Sequence, residues 1–150
     1  MFLLGVPDDD GVDRSRLQLL RDLIVLPLGE AFQLRDDLLG VFGDPKKTGK
    51  PVLDDPREGK NTVLMALTRH SATPGQNRIL LNLVENPKLD GAGAARVREV
   101  ITSTGAQAHV EDVIRCRHRD AVEAIDGAPM PEPVKASLRT IAERVVDRAT

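Results

Sequence analysis

Apolar residues recur at three- and four-residue spacing along most of the chain, and Pro, Gly and Asn interrupt the pattern between segments. This periodicity predicts an all-α fold with almost no strand signal. The first predicted helix is long, covering 13–42, with a kink expected at Pro27 because proline has no N–H to donate. Asn61 or Thr62 is placed to cap a second helix ending near Ser71, and Thr73-Pro74 opens a third running to Val84. Further helices are expected over 91–103, ended by Gly105, and over 106–125, ended by Gly127; the last starts near Pro131 and runs to about Arg148. An irregular start (1–12) and a polar Pro/Gly-rich loop (43–60) complete a single all-α domain spanning 1–150.

Composition narrows the functions open to such a chain. With 41% hydrophobic and 29% charged residues the sequence is that of a globular protein. Aromatic residues make up only 2% and net charge is −2, so neither stacking platforms nor a basic field exist for nucleic acid. The single cysteine, Cys116, excludes an intrachain disulfide framework and a thiolate zinc site, and it fits a reducing compartment. The longest apolar runs, over 23–28 and 2–4, are too short to span a bilayer, and the start lacks the basic and long apolar regions of a signal peptide. A cytoplasmic protein with no membrane span is expected.

Chemistry concentrates in the first long helix. Wound at about 100° per residue, Gly29, Gln33, Asp36, Asp37 and Gly40 fall on one narrow stripe. Leu34, Leu38, Leu39, Val41, Phe42 and Phe32 cover nearly all the remaining circumference, with Arg35 the exception. A helix this apolar belongs inside a protein, and adjacent carboxylates there need a cationic partner. The glycines leave room beside them for something small and positive. Magnesium suits the site, because it takes oxygen ligands and often binds one or two carboxylates together with substrate phosphates. The competing reading is a surface helix whose Asp36–Asp37 pair is its solvated edge. In the loop that follows, Lys50 and Lys60 each come after a glycine, and lysine neutralises phosphate as a flexible point charge.

Taken together, Gly29-x-x-Phe32-Gln33-x-x-Asp36-Asp37, then Phe42-Gly43-Asp44-Pro45-x-x-Thr48-Gly49-Lys50-Pro51, then Asp55-x-Arg57-Glu58-Gly59-Lys60-x-Thr62 resemble the C-terminal part of the trans-isoprenyl diphosphate synthases, or polyprenyl synthetases. The resemblance implies the C-terminal portion of an isoprenoid-synthase-type helical bundle. It makes Asp36 and Asp37 the second aspartate-rich motif, which holds Mg2+ against an allylic diphosphate, and assigns Gln33, Lys50 and Lys60 to that diphosphate. It implies no catalytic residue beyond these metal and diphosphate ligands. The implied reaction condenses the allylic diphosphate with isopentenyl diphosphate, and the implied assembly is a homodimer or an association with another synthase chain.

Two departures stand out. Gly40 occupies the position where the second motif usually ends in aspartate. The first aspartate-rich motif, its paired arginines and the isopentenyl diphosphate site have no counterpart, so this chain alone is expected to be inactive. Asp9-Asp10-Gly11-Val12-Asp13 spells Asp-Asp-x-x-Asp, but it follows Pro7, contains Gly11 and lies shortly before Asp36, so it reads as a loop ending in a helix cap. Two other readings compete. Asp37-Leu38-Leu39-Gly40-x-x-x-Asp44 is a near miss to the second motif of class I terpene cyclases, and the chain could be a non-catalytic helical partner of a complete synthase. His70, His109 and His118 show no metal-ligand spacing and read as surface or helix-end residues. Arg115, Arg117 and Arg119 read as a solvated face, with Glu111, Asp112 and Asp120 within helical reach.

Overall fold

The computed structural model describes residues 14–43 and 62–147. Every regular element among them is helical. A continuous helical rod runs from Arg14 to Phe42 as α1 (Arg14–Leu20), a π-helical stretch (Arg21–Val25) and α2 (Leu26–Phe42). After it come α3 (Val63–Ser71), α4 (Pro74–Leu83), α5 (Gly91–Ser103), α6 (Ala106–Gly127) and α7 (Glu132–Asp147).

The boundaries follow local chemistry. Thr62 caps α3, its side chain accepting from the Met65 N–H at 3.1 Å. Thr73 and Gln76 form a reciprocal capping box at the start of α4, with Pro74 in the first turn. Asp90 caps α5 by accepting from the Gly93 N–H at 2.8 Å. Gly105, at φ +81°, makes the left-handed step from α5 to α6, and Glu85 takes φ +65° just past α4.

Immediately ahead of Pro27, where a kink is expected from sequence, the helix takes a π-helical turn. The ladder has already widened, with the Leu26 N–H donating to the Arg21 carbonyl five residues back. A wider turn relieves the clash between the proline ring and the preceding turn, so the rod continues through Pro27.

α2 and α6 form the spine. Their charged pairs run in opposite senses, Arg35 to Glu111 and Glu30 to Arg117, as antiparallel neighbours require. The larger core cluster packs Ala31, Leu34, Leu38 and Val41 of α2 against Leu64, Leu80, Val97, Ile101, Val110 and Ile114. The smaller joins Ile24 and Leu28 to Ala121, Ile125 and Ala142. Large apolar side chains in these clusters each stabilise the fold by about 1.5–3 kcal/mol when fully buried.

Candidate functional site

α2 carries the aspartates, and its neighbours fix its rotation. Arg35 is only 5% exposed and points at α6, where its two terminal nitrogens donate to the two carboxylate oxygens of Glu111 at 2.9 and 3.0 Å. At the C-terminal end of the same helix, Arg98 of α5 donates from Nε to the Val41 carbonyl at 2.7 Å. That carbonyl has no partner further along the helix, and a cation there also complements the negative end of the helix dipole. With Arg35 turned into α6, Asp36 and Asp37 lie about 100° and 200° further round.

The five stripe residues do not share one environment. Gly29 and Gln33 are exposed and Asp36 is half-buried, whereas Asp37 (5% exposed) and Gly40 are buried. Gln33 reaches one turn along the helix and donates from Nε2 to Asp37 Oδ1 at 3.1 Å. The Asp36–Asp37 pair is therefore no plain solvated edge. A Cβ added at Gly29 would meet nothing within 4 Å, consistent with open space on that flank. Phe32, expected among the covering apolar residues, stands 44% exposed.

Asp36, Asp37 and Gln33 are thus brought together on one helix. Lys50 and Lys60 lie outside the described residues, as do the loop over 44–60 and the Asp9-Asp10-Gly11-Val12-Asp13 stretch. No group of three or more His, Cys, Asp or Glu side chains able to enclose a metal occurs among the described residues. Two adjacent carboxylates on one side are what a magnesium ion with substrate phosphates in its remaining positions would use. The donor set fits that ion as one wall of a site.

The Arg35–Glu111 and Arg98–Val41 contacts were not expected from sequence. One signal pointed to the first: a lone guanidinium on an otherwise apolar helix needs a carboxylate partner. Sequence puts Glu111 within helical reach of the arginines on the solvated face. It turns inward instead, leaving Arg115 to pair with Asp112 and Arg117 with Glu30. Cys116 is exposed, with the Arg119 guanidinium 3.7 Å from its sulfur. His70 and His109 are exposed, but His118 is half-buried, and its Nε2 has no hydrogen-bond partner.

Residues 11–103 match the Polyprenyl synthetase family, and the chain belongs to it. It is 32% identical over 124 residues to the geranylgeranyl diphosphate synthase of Saccharolobus solfataricus, covering 82% of this chain and 37% of that protein. It is 36% identical over 137 residues to the geranylfarnesyl diphosphate synthase of Aeropyrum pernix, covering 87% of this chain and 42% of that one. The crystal structure of a geranylgeranyl pyrophosphate synthase from Corynebacterium glutamicum, complexed with isoprenyl diphosphate and magnesium, matches with a TM-score of 0.78 at 39% identity. That match covers 89% of this chain and 37% of the other. The chain spans about two-fifths of the length of these relatives. Its fold is part of the prenyl synthase fold, and no helix among the described residues is long and apolar enough to cross a membrane.

Proposed function

We propose that this chain supplies the second-motif side of a trans-isoprenyl diphosphate synthase, which joins an allylic diphosphate to isopentenyl diphosphate. The observation carrying the reading is the pair Asp36–Asp37 on a helix whose rotation is locked from below, with Gln33 bonded to Asp37. Asp36 and Asp37 would hold magnesium, which supplies positive charge where the departing diphosphate becomes more negative. Gln33 fixes the Asp37 carboxylate and presents its amide beside the phosphates. Lys50 and Lys60 neutralise phosphate oxygens, an assignment resting on the resemblance of the Gly-Lys loop. The lone Cys116 suits a reducing setting such as the cytoplasm.

The test has two arms. Offered geranyl or farnesyl diphosphate, labelled isopentenyl diphosphate and magnesium, residues 1–150 alone should give no elongated product, because one aspartate pair neutralises the diphosphate from one side only. Joined to the remainder of a synthase, the chain should elongate, and Asp36→Ala should lower turnover at least about a hundredfold, or near 3 kcal/mol of transition-state stabilisation, with helicity unchanged. Near-wild-type turnover in Asp36→Ala would overturn the metal-holding role of the pair. A joined protein that never elongates would favour the second reading, a non-catalytic helical partner of a complete synthase. That reading draws on the short span of the chain relative to its relatives.

A further inference from the structure

Arg35 immediately precedes the Asp36–Asp37 pair on α2, yet its side chain serves α6. It is 5% exposed, and its two terminal nitrogens donate to the two carboxylate oxygens of Glu111 at 2.9 and 3.0 Å. Nε is left without a partner. A guanidinium buried in this way contributes little net stability, because the hydration it loses offsets most of the attraction it gains. The fork contributes direction instead. Leu34, Leu38 and Val41 pack the same helix into the core, but apolar contact is non-directional and accommodates small rotations.

We propose that Arg35 and Glu111 are positioning residues for the metal-holding carboxylates, acting through the rotation of α2; the inference rests on the diphosphate-synthase reading given above. Side-chain ends lie about 5–6 Å from a helix axis, so a turn of about 10° carries a carboxylate oxygen through about 1 Å. Magnesium takes its oxygens at about 2.0–2.1 Å in near-ideal octahedral geometry, and an error of that size is large on this scale. The same turn moves the longer Arg35 side chain at least as far. It spoils the distance or the angle of at least one of the two contacts to Glu111.

The fork and the carboxylates are therefore sensitive to one and the same motion. They sit on consecutive residues, so no length of helix between them can absorb a misalignment. Gln33 completes the linkage, because its bond to Asp37 Oδ1 at 3.1 Å ties that carboxylate to the helix and passes the rotation on to it. A single charged contact would not serve equally well. Lysine at position 35 could reach Glu111 as a point charge, but it has no planar fork to fix an angle.

The experiment uses residues 1–150 joined to the remainder of a synthase and reads metal binding directly. Mn2+ is the probe, added with inorganic diphosphate, and free Mn2+ is followed by electron paramagnetic resonance. Turnover against Mg2+ concentration gives a second reading. Arg35→Met with Glu111→Leu removes the fork and leaves the seam apolar, and circular dichroism with thermal melting reports that it folds. Mn2+ should bind about 10–100-fold more weakly, the range seen when the supports of a metal site are lost. Half-maximal turnover should move to a correspondingly higher Mg2+ concentration. Arg35→Lys, which keeps the charge and loses the fork, should show most of the same loss. Leu34→Met, a change of similar volume in the same seam, should bind Mn2+ within about twofold of the parent protein whatever it does to the melt. The proposal is overturned if the double variant folds and binds Mn2+ as the parent does; where the double variant does not fold, parent-like binding in Arg35→Lys overturns it. A loss in Leu34→Met equal to that in the double variant also overturns it, since packing in general would then set the site. Asp36→Ala separates this proposal from the reading beneath it. Parent-like Mn2+ binding in Asp36→Ala overturns the diphosphate-synthase reading and the positioning with it. Weakened binding in Asp36→Ala beside parent-like binding in the double variant overturns the positioning alone.

Discussion

Removing Glu111 should be more damaging than removing Arg35, although the two form one ion pair. In Glu111→Ala the Arg35 guanidinium stays where it is, 5% exposed, with its Nε already lacking a partner and both terminal nitrogens newly unpaired. Stripping one member from a fully buried pair costs about 3–5 kcal/mol. The Glu111 side chain is 31% exposed, so water reaches part of the site, and screening reduces the expected loss to about 2 kcal/mol. In Arg35→Met the methionine keeps much of the buried stem and no charge is stranded. Glu111 then turns toward solvent, for a loss of about 1 kcal/mol. Arg35→Met combined with Glu111→Leu should recover most of the stability, since a buried pair is often replaceable by apolar residues of similar volume. The assay is equilibrium urea unfolding followed by circular dichroism at 222 nm, with melting temperatures as a check. The Glu111→Ala melt should fall by roughly 4–8 °C for a chain of this size. If Arg35→Met proved as costly as Glu111→Ala, or the double variant were worse than either single one, the stem of Arg35 would be holding the helices and the charge argument would be wrong.

Three smaller changes test the connections between helices. Gly105→Ala should destabilise by about 1–2 kcal/mol in the same unfolding assay, because φ +81° puts a Cβ against the following carbonyl. Glu85→Gly should move stability the other way, by about 0.5–1 kcal/mol, since Glu85 already occupies φ +65°; a loss there would show that its side chain makes a contact worth more than the backbone strain. Thr73→Ala should cost about 1 kcal/mol by removing the acceptor for the Gln76 N–H, and Thr73→Asp should restore most of it.

Helix boundaries were legible because each is set within a few residues of sequence. Thr62, Thr73-Pro74 and Gly105 act where they stand, and α5 occupies 91–103 as its periodicity predicts. The aspartate pair was legible for a related reason, since a carboxylate stripe on an apolar helix is visible without a partner. What locks that helix was not. Arg35 and Glu111 are 76 positions apart, and Arg98 meets the Val41 carbonyl across 57. From sequence, Glu111 has Arg115 four residues on to pair with, and nothing local says that it turns away from it. The consequence of Pro27 was half legible: a missing donor requires an adjustment, but the π-helical turn ahead of it, beside Ile24 and Leu28 in the smaller core cluster, is not written in the local sequence. Leu17 and Leu19 of α1 were foreseeable as apolar and not as exposed, because exposure depends on how the other helices pack.

Three consecutive charged residues, Arg35, Asp36 and Asp37, leave α2 in three different directions. Successive positions diverge by about 100° on a helix, so the guanidinium that enters the α2–α6 seam is carried away from the carboxylates beside it. Glu111 supplies the counter-charge from the opposite helix and satisfies both terminal nitrogens of Arg35. A leucine at position 35 would pack the seam equally well but would tolerate a helix turned or shifted by a residue's worth of ridge. The fork accepts far less displacement, because moving it strands a buried charge. Arg98 adds a second constraint at the end of the helix, and Gln33 fixes the Asp37 side chain from within. Rotation, axial position and one carboxylate are thereby set by three separate polar contacts on a helix whose apolar packing alone would specify them loosely. Such redundancy is hard to account for as stability, since a buried pair contributes little of it, and is readily accounted for if Asp36 and Asp37 have to meet a cation whose other ligands come from elsewhere.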